Sequence, residues 1–133
     1  MEKVTPFLMF QQNRAEKAME FYTSLIEESD IHSITRYGSE GPGEEGTVMQ
    51  AVFSIKGQEI RCMDSSIPHD FDFTPSFSLF ITCETESEID HLYERLGENG
   101  EALMALGNYG FSQKFGWIVD QFGVSWQLNL DSK

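Results

Sequence analysis

The sequence predicts an α+β fold of two β-α-β-β-β modules, whose curved mixed sheets surround a cleft. Short apolar segments of strand length alternate with two stretches of helical periodicity. The same order of elements occurs twice in 133 residues, although the two halves do not align residue by residue. Each module has one helix, which covers one sheet face, so the other face must meet a second layer or a ligand. We therefore expect a single domain over residues 1–133.

The first module is expected over about residues 4–64. Apolar residues at helical spacing predict a helix over 14–27, with Asn13 as its N-cap and Glu16 completing the capping signal. The tight turn Lys56-Gly57-Gln58 predicts a hairpin. The predicted strands of this module cover residues 4–10, 31–37, 48–55 and 59–63.

The connector, about residues 65–75 (SSIPHDFDFTP), contains two prolines and several turn formers. The second module follows over about 76–130. Its helix is expected over 85–96, capped by Thr85 or Ser87 and ended by glycines. Its predicted strands cover residues 77–82, 101–106, 111–119 and 124–130.

The last strand separates its residues into two faces. Residues 124, 126, 128 and 130 are apolar, whereas Ser125, Gln127 and Asn129 point the other way. The first strand of the second module divides similarly, with Ser76, Ser78 and Phe80 on one side. Because both strands belong to one sheet, the polar face is expected to border a cleft or water.

The charge balance excludes several classes of partner. The chain has 9 Lys plus Arg and 22 Asp plus Glu, a formal net charge of −13. We therefore expect no nucleic-acid binding and no attraction to an anionic membrane. No apolar run approaches the roughly 20 residues that span a bilayer, and no signal peptide is evident. A cytoplasmic protein with reduced, buried cysteines is expected.

Two segments carry a resemblance to a known family. TPFLMF with AEKAMEFY near the start, and FGWIVDQFGVSWQL near the end, resemble the PhnB-like proteins, described as 3-demethylubiquinone-9 3-methyltransferase-like. These belong to the vicinal oxygen chelate superfamily, with glyoxalase I, extradiol dioxygenases and bleomycin- and fosfomycin-resistance proteins. The sequence shows no glycine-rich strand-to-helix turn suited to S-adenosylmethionine.

The resemblance also indicates which positions would hold a metal. In metal-using members, His and Glu from four strands converge on one divalent ion, but the matching positions here are Gln127, Ser76, Gln50 and Thr5 or Phe7. Neutral oxygens rarely hold a catalytic transition metal alone. We therefore predict no cofactor, with a divalent metal kept as the alternative.

The predicted site is a metal-free cleft for a small, partly apolar molecule. Polar groups would hydrogen-bond the ligand and apolar ones would pack on it. Tyr109 and Lys114 flank a loop where the superfamily often admits ligands, and could orient a polar or anionic group. The predicted ligand-binding residues are Phe7, Met9, Gln50, Ser76, Ser78, Phe80, Tyr109, Lys114 and Gln127.

Other candidates are interpreted as structural. His69-Asp70-Phe71-Asp72 is read as a solvated loop, and His91 as part of an exposed helix face. His32 has no evident partner, and Asp120 is read as a turn former before Gly123.

Two alternative functions stay open. One is a divalent-metal lyase, isomerase or dioxygenase of the same superfamily. The other is a dimeric interaction module without a ligand. A homodimer is expected in any case, because each module leaves a sheet face and edge uncovered.

Overall fold

The computed structural model describes residues 2–132, which divide into two compact units between Asp72 and Phe73. Each unit holds one helix and one four-stranded sheet. Each follows the order β-α-β-β-β, so the predicted α+β class with two such modules is confirmed. Neither helix of the described residues has the length and apolarity needed to cross a bilayer.

In the first unit, β4 is central because it pairs with β1 in parallel and with β3 antiparallel. Strand β2 forms the edge beyond β3, which makes the strand order β1-β4-β3-β2. The elements of this unit are β1 Phe7–Phe10, α1 Ala15–Leu25, β2 Asp30–Arg36, β3 Val48–Ile55 and β4 Gln58–Asp64.

The second unit repeats this arrangement with strand order β5-β8-β7-β6. Strand β5 pairs with β8 in parallel, and the other pairs are antiparallel. Its elements are β5 Ser78–Cys83, α2 Glu86–Gly97, β6 Glu101–Gly107, β7 Lys114–Val119 and β8 Ser125–Leu130. One parallel pair beside antiparallel pairs makes both sheets mixed.

The element boundaries differ from the prediction mainly at strand starts. Strand β1 begins at Phe7, so the predicted residues 4–6 precede it, and β7 begins at Lys114 rather than at residue 111. Helix α1 is shorter at both ends than predicted. At both starts, the residue before the strand makes one backbone hydrogen bond to the neighbouring strand: Pro6 accepts the Arg61 N–H, and Gln113 donates its N–H to the Leu130 carbonyl.

The predicted cap of α1 is wrong. Asn13 has a φ of 57° and lies before Arg14, which occupies the N-cap position without a side-chain hydrogen bond. Instead, Asp64 at the end of β4 accepts the backbone N–H of Ala15 through Oδ1 at 2.9 Å. The predicted cap of α2 is confirmed, because Thr85 accepts the N–H of Glu88 through its hydroxyl.

Each helix buries one apolar stripe against its own sheet. In α1 the buried residues are Ala15, Ala18, Met19 and Tyr22, and in α2 they are Ile89, Leu92 and Leu96. The largest fully buried side chain is Trp126 on β8. Both cysteines are free and buried, as the sequence predicts. Each unit therefore has one sheet face covered by a helix.

Candidate functional site

The face of the second sheet opposite α2 carries polar and aromatic side chains. Gly116 on β7 lies beneath α2, since an added Cβ would lie 2.7 Å from the Tyr93 ring. Its neighbours Phe115 and Trp117 therefore point away from the helix. We call this side the uncovered face of the second sheet.

Strand pairing brings the predicted polar residues of two strands together on this face. Parallel register places Ser78 beside Ser125 and Phe80 beside Gln127. Antiparallel register places Trp117 beside Gln127 from the other side. Directly paired residues point to the same side of a sheet. The alternation predicted for β8 is therefore confirmed, because the residues of β5 and β7 that pair with Gln127 lie on the same face as its side chain.

Four side chains form one hydrogen-bonded cluster, which we call the serine cluster. The Ser78 and Ser125 hydroxyl oxygens lie 2.7 Å apart. Trp117 donates its indole Nε1–H to Ser125 Oγ at 2.8 Å, and Gln127 donates from Nε2 to Ser78 Oγ at 3.3 Å. Every member lies on β5, β7 or β8.

One serine hydroxyl hydrogen is not used within the serine cluster. Each serine accepts from a nitrogen donor, and a hydroxyl has one hydrogen and two acceptor lone pairs. If Ser78 donates to Ser125, the Ser125 hydrogen stays unused, and the reverse orientation frees the Ser78 hydrogen. The cluster therefore keeps one O–H donor in either arrangement.

An aromatic group adjoins the serine cluster. Phe115 is the buried centre, with the rings of Phe80, Tyr109 and Phe111 at centroid distances of 6.4, 6.3 and 5.0 Å. These three outer rings are 56%, 44% and 64% exposed. Large exposed aromatic side chains grouped on one surface are typical of binding or interaction sites.

The structure separates Lys114 from this group. Its ammonium donates to Asp90 Oδ1 at 2.6 Å and to Glu86 Oε1 at 3.0 Å, both on α2. These hydrogen bonds, to Asp90 first and then Glu86, raise the pKa of Lys114 above its ordinary value. The lysine thus binds the helix rather than facing the uncovered side of the sheet.

Two other predicted residues lie at the margin. Ser76 is exposed, precedes β5 and shares a hydrogen bond with Thr74 at 2.7 Å between the hydroxyl oxygens. Tyr109 lies in the loop between β6 and β7, and donates its hydroxyl to the Ala105 carbonyl. The phenol ring contributes to the aromatic group, while its hydroxyl is already engaged.

Phe7, Met9 and Gln50 share one face of the first sheet. Leu8 pairs with Cys62, which pairs with Ala51, and all three are buried. Because neighbours along a strand alternate, Phe7, Met9 and Gln50 point to the opposite side. Phe7 and Gln50 are exposed and Met9 is half-buried.

The side chains that could bind a metal are dispersed. Among residues 2–132, no three His, Cys, Asp or Glu side chains lie close enough to hold an ion. His32 Nε2 lies 2.9 Å from Ser54 Oγ, and His69 Nε2 lies 3.0 Å from Ser65 Oγ. On the uncovered face of the second sheet, the serine cluster brings together neutral hydroxyl and amide groups, which do not fit a catalytic transition metal.

Sequence reasoning missed two members of the serine cluster. Ser125 was placed on the polar face without a role, and Trp117 was not assigned to the site. Ser125 meets Ser78 through the register between β5 and β8, about 47 positions apart in the chain, and Trp117 joins through the register between β7 and β8. Only the alternation on each strand was visible in the sequence.

Asp120 has a larger role than the predicted turn former. Its Oδ1 accepts the N–H groups of Phe122 and Val124 at 2.8 and 3.0 Å, and its Oδ2 accepts the Trp126 indole N–H at 2.8 Å. The residue is buried. It fixes the turn that leads into β8 and thereby the position of Gln127.

A family model described as 3-demethylubiquinone-9 3-methyltransferase matches residues 2–129. The chain belongs to this PhnB-like family. The match covers nearly the whole chain, so the predicted resemblance is confirmed. A search of curated proteins finds no significant match.

Solved structures agree with the PhnB-like assignment. A PhnB protein from Bacillus cereus with the same methyltransferase description is 56% identical, with a TM-score of 0.93 over 97% of this chain and 99% of that one. A glyoxylase/bleomycin resistance protein/dioxygenase domain from Frankia is 14% identical, with a TM-score of 0.68 over 100% and 94%. The second likeness shows the shared fold.

A third structure illustrates metal use on the same fold. The fosfomycin resistance protein FosX from Listeria monocytogenes, in complex with Mn(II) and a dihydroxypropylphosphonic acid, is 11% identical to this chain. Its TM-score is 0.65, over 97% of this chain and 92% of that one. At this identity the likeness concerns the fold only.

Proposed function

We propose that this PhnB-like protein binds a small, partly apolar molecule without a metal, on the uncovered face of the second sheet. The observation that carries the proposal is the serine cluster beside the exposed rings of Phe80 and Phe111. Ligand sites commonly combine an apolar surface with a few precisely held polar groups.

The chemistry of the cluster restricts the ligand. One serine hydroxyl remains as a donor, and the Gln127 side-chain oxygen is an acceptor. A ligand with one acceptor and one donor near an apolar or aromatic portion would match both the polar and the aromatic parts. A fully charged phosphate would not, because Lys114 is already engaged by two carboxylates.

The first sheet supplies a second set of candidate contacts. Phe7 and Met9 offer apolar surface, and Gln50 offers an amide, on that sheet's own uncovered face. We include these three residues in the proposed binding function, together with Ser76 and Tyr109 at the margin of the serine cluster. Lys114 is left out, because its ammonium is paired with α2.

The alternative is a divalent-metal lyase, isomerase or dioxygenase. It is favoured by the fold shared with a Mn(II)-holding protein, but the neutral donors of the serine cluster speak against it. Metal analysis of protein purified without chelator separates the two. A stoichiometric transition metal that survives dialysis would contradict metal-free binding.

A screen tests the proposed function directly. A small-molecule library is tested for thermal stabilisation of the wild-type chain, because a ligand that binds only the folded state raises its stability. Hits are then measured by calorimetry on wild type and on Gln127→Ala. The proposal expects a hit whose affinity falls in the variant. Hits that bind both proteins equally would place the site elsewhere.

Exposed aromatic residues also favour a second candidate, a dimeric interaction module. Phe77, Phe80 and Phe111 are each more than half exposed, which suits a protein interface as well as a ligand. Analytical ultracentrifugation of Phe80→Ser distinguishes the two functions. A dimer that dissociates in this variant, with no ligand found, would favour the interaction module.

A further inference from the structure

A cavity in the first unit is lined by loop residues, none of which belongs to a strand. Its volume is about 490 Å³, within the range of roughly 300–1,000 Å³ usual for small-molecule pockets. The loops after β1 and β4 and the loop between β2 and β3 form its walls. Its lining includes the polar side chains of Gln11, Gln12, Glu44, Ser65, His69 and Asp72.

Gln11 holds one wall of the cavity in place. Its side-chain oxygen accepts the His69 backbone N–H at 2.9 Å, and its Nε2 donates to the Phe71 carbonyl at 2.8 Å. The His69 ring also stacks on Phe71, with centroids 4.7 Å apart. These contacts connect segments about 60 positions apart in the chain, so the wall is formed before any ligand arrives.

The hydrogen bonds of Ser65 define the role of His69. Ser65 donates its single hydrogen to the Ile67 carbonyl at 2.7 Å. The neighbouring His69 Nε2, 3.0 Å from Ser65 Oγ, must therefore be the donor in that contact. In the neutral imidazole, Nδ1 is then the acceptor. The imidazole of this lining residue therefore has one acceptor nitrogen that Ser65 does not use.

The charge of the lining is negative. Glu44 and Asp72 contribute two carboxylates, and no lysine or arginine is present among the described residues that line the cavity. Amide and hydroxyl oxygens and the imidazole lone pair add neutral acceptors. A cavity of this composition attracts positive charge and N–H donors, and repels phosphates and carboxylates.

We propose that this cavity is a second binding site, for a small organic cation rich in N–H donors, such as a polyamine or an alkyl guanidine. The carboxylates of Glu44 and Asp72 would pair with the cationic groups. Acceptors on Gln12 and His69 would take further N–H bonds, and Ile67 with Pro68 would pack on the alkyl chain. This site is independent of the serine cluster.

The test uses the chain of 133 residues, labelled with ¹⁵N and titrated with spermidine, and separately with agmatine. We expect saturable amide shifts confined to the cavity segments around residues 11–13, 44 and 65–72. In the double variant Glu44→Gln/Asp72→Asn, affinity should fall roughly tenfold, because two charge contacts are lost. Added salt should weaken wild-type binding as well.

A matched control separates site binding from attraction to the acidic surface. Glu45 and Asp70 lie beside the cavity carboxylates in sequence but outside the lining. Glu45→Gln/Asp70→Asn carries the same charge change and should retain wild-type affinity. Equal loss in both double variants would overturn the proposal. So would the absence of saturable shifts at the cavity with either cation, or equal binding of the neutral polyol sorbitol.

Discussion

The Asp64 carboxylate accepts the Ala15 backbone N–H through Oδ1, and the Val48 N–H through Oδ2, each at 2.9 Å. One buried side chain at the end of β4 therefore fixes the start of α1 and the start of β3. Its negative charge also lies at the N-terminal end of a helix, where backbone N–H groups and the helix dipole favour an anion. Tyr37 donates its hydroxyl to the Asp64 carbonyl and completes the arrangement.

Replacement of Asp64 by alanine should destabilise the protein strongly. Two buried N–H groups would lose their acceptor, and we expect the free energy of unfolding to fall by about 3 kcal/mol. Urea unfolding monitored by circular dichroism measures the change. Asp70→Ala, in an exposed loop, is the control and should stay within about 0.5 kcal/mol of wild type. Equal stability of both variants would refute the proposed role of the carboxylate.

Asp120→Asn should be destabilising because the new amide NH₂ and the Trp126 indole N–H are both donors. Its amide would accept the two backbone N–H groups but would turn its NH₂ towards the Trp126 indole N–H. We expect a loss of about 2 kcal/mol in the free energy of unfolding. In a Trp126→Phe background the same substitution should cost less, which a double-mutant cycle detects. An identical cost in both backgrounds would argue against the indole contact.

Gln127→Ala should weaken ligand binding without destabilising the fold. The side chain is half-buried and donates one hydrogen bond, to Ser78 Oγ. Its loss should reduce affinity roughly fivefold, the equivalent of one hydrogen bond. Calorimetry with a hit from the screen measures this. Gln113→Ala, an exposed glutamine of the same unit, is the matched control and should bind as wild type.

The ion pair of Glu16 and Arg36 should stabilise the folded state slightly, by an amount that depends on pH. Two hydrogen bonds of 2.7 and 2.8 Å join their charged groups. These bonds to Arg36 hold the pKa of Glu16 below its ordinary value of 4.5. Because the folded pKa is lowered, the contribution is complete above about 4.5 and is lost as the pH falls through the lowered value.

Urea unfolding of wild type and Glu16→Gln across this range tests the pair. Both side chains are more than a third exposed, so the free energies of unfolding of wild type and Glu16→Gln should differ only slightly at neutral pH. It should shrink further in acid as Glu16 becomes protonated. Glu40→Gln, in the loop between β2 and β3, controls for the general effect of removing a carboxylate. A difference that grows in acid would contradict the expected sign.

Much of the fold follows from local patterns in the sequence. Alternation on β8 and the apolar stripe of α2 depend on residues close in the chain, and both were predicted. The Thr85 cap was predicted for the same reason, since its partner lies three residues away. The Asp64 contacts were not, because their donors lie 49 and 16 positions away and leave no periodic signal.

The candidate site was predictable only in part. The resemblance and the alternation identified Ser78, Phe80 and Gln127, but periodicity within one strand does not specify its register against another. The register of β8 against β5 and β7 brings the four side chains of the serine cluster together, Trp117 among them. Lys114 was predicted to lie near the site because of its position in the sequence. Two carboxylates on α2 bind its ammonium instead, and that long-range contact has no local signal.

The two buried cysteines make the natural chain a convenient background for site-specific labelling. Burial, assisted by the Asp64 charge, raises the pKa of Cys62 to about 12, so its thiol stays protonated and unreactive near neutral pH. Cys83 is also buried. A single cysteine introduced on an exposed position, such as Gln50 or Gln113, would therefore accept a maleimide dye or spin label without prior removal of the native thiols.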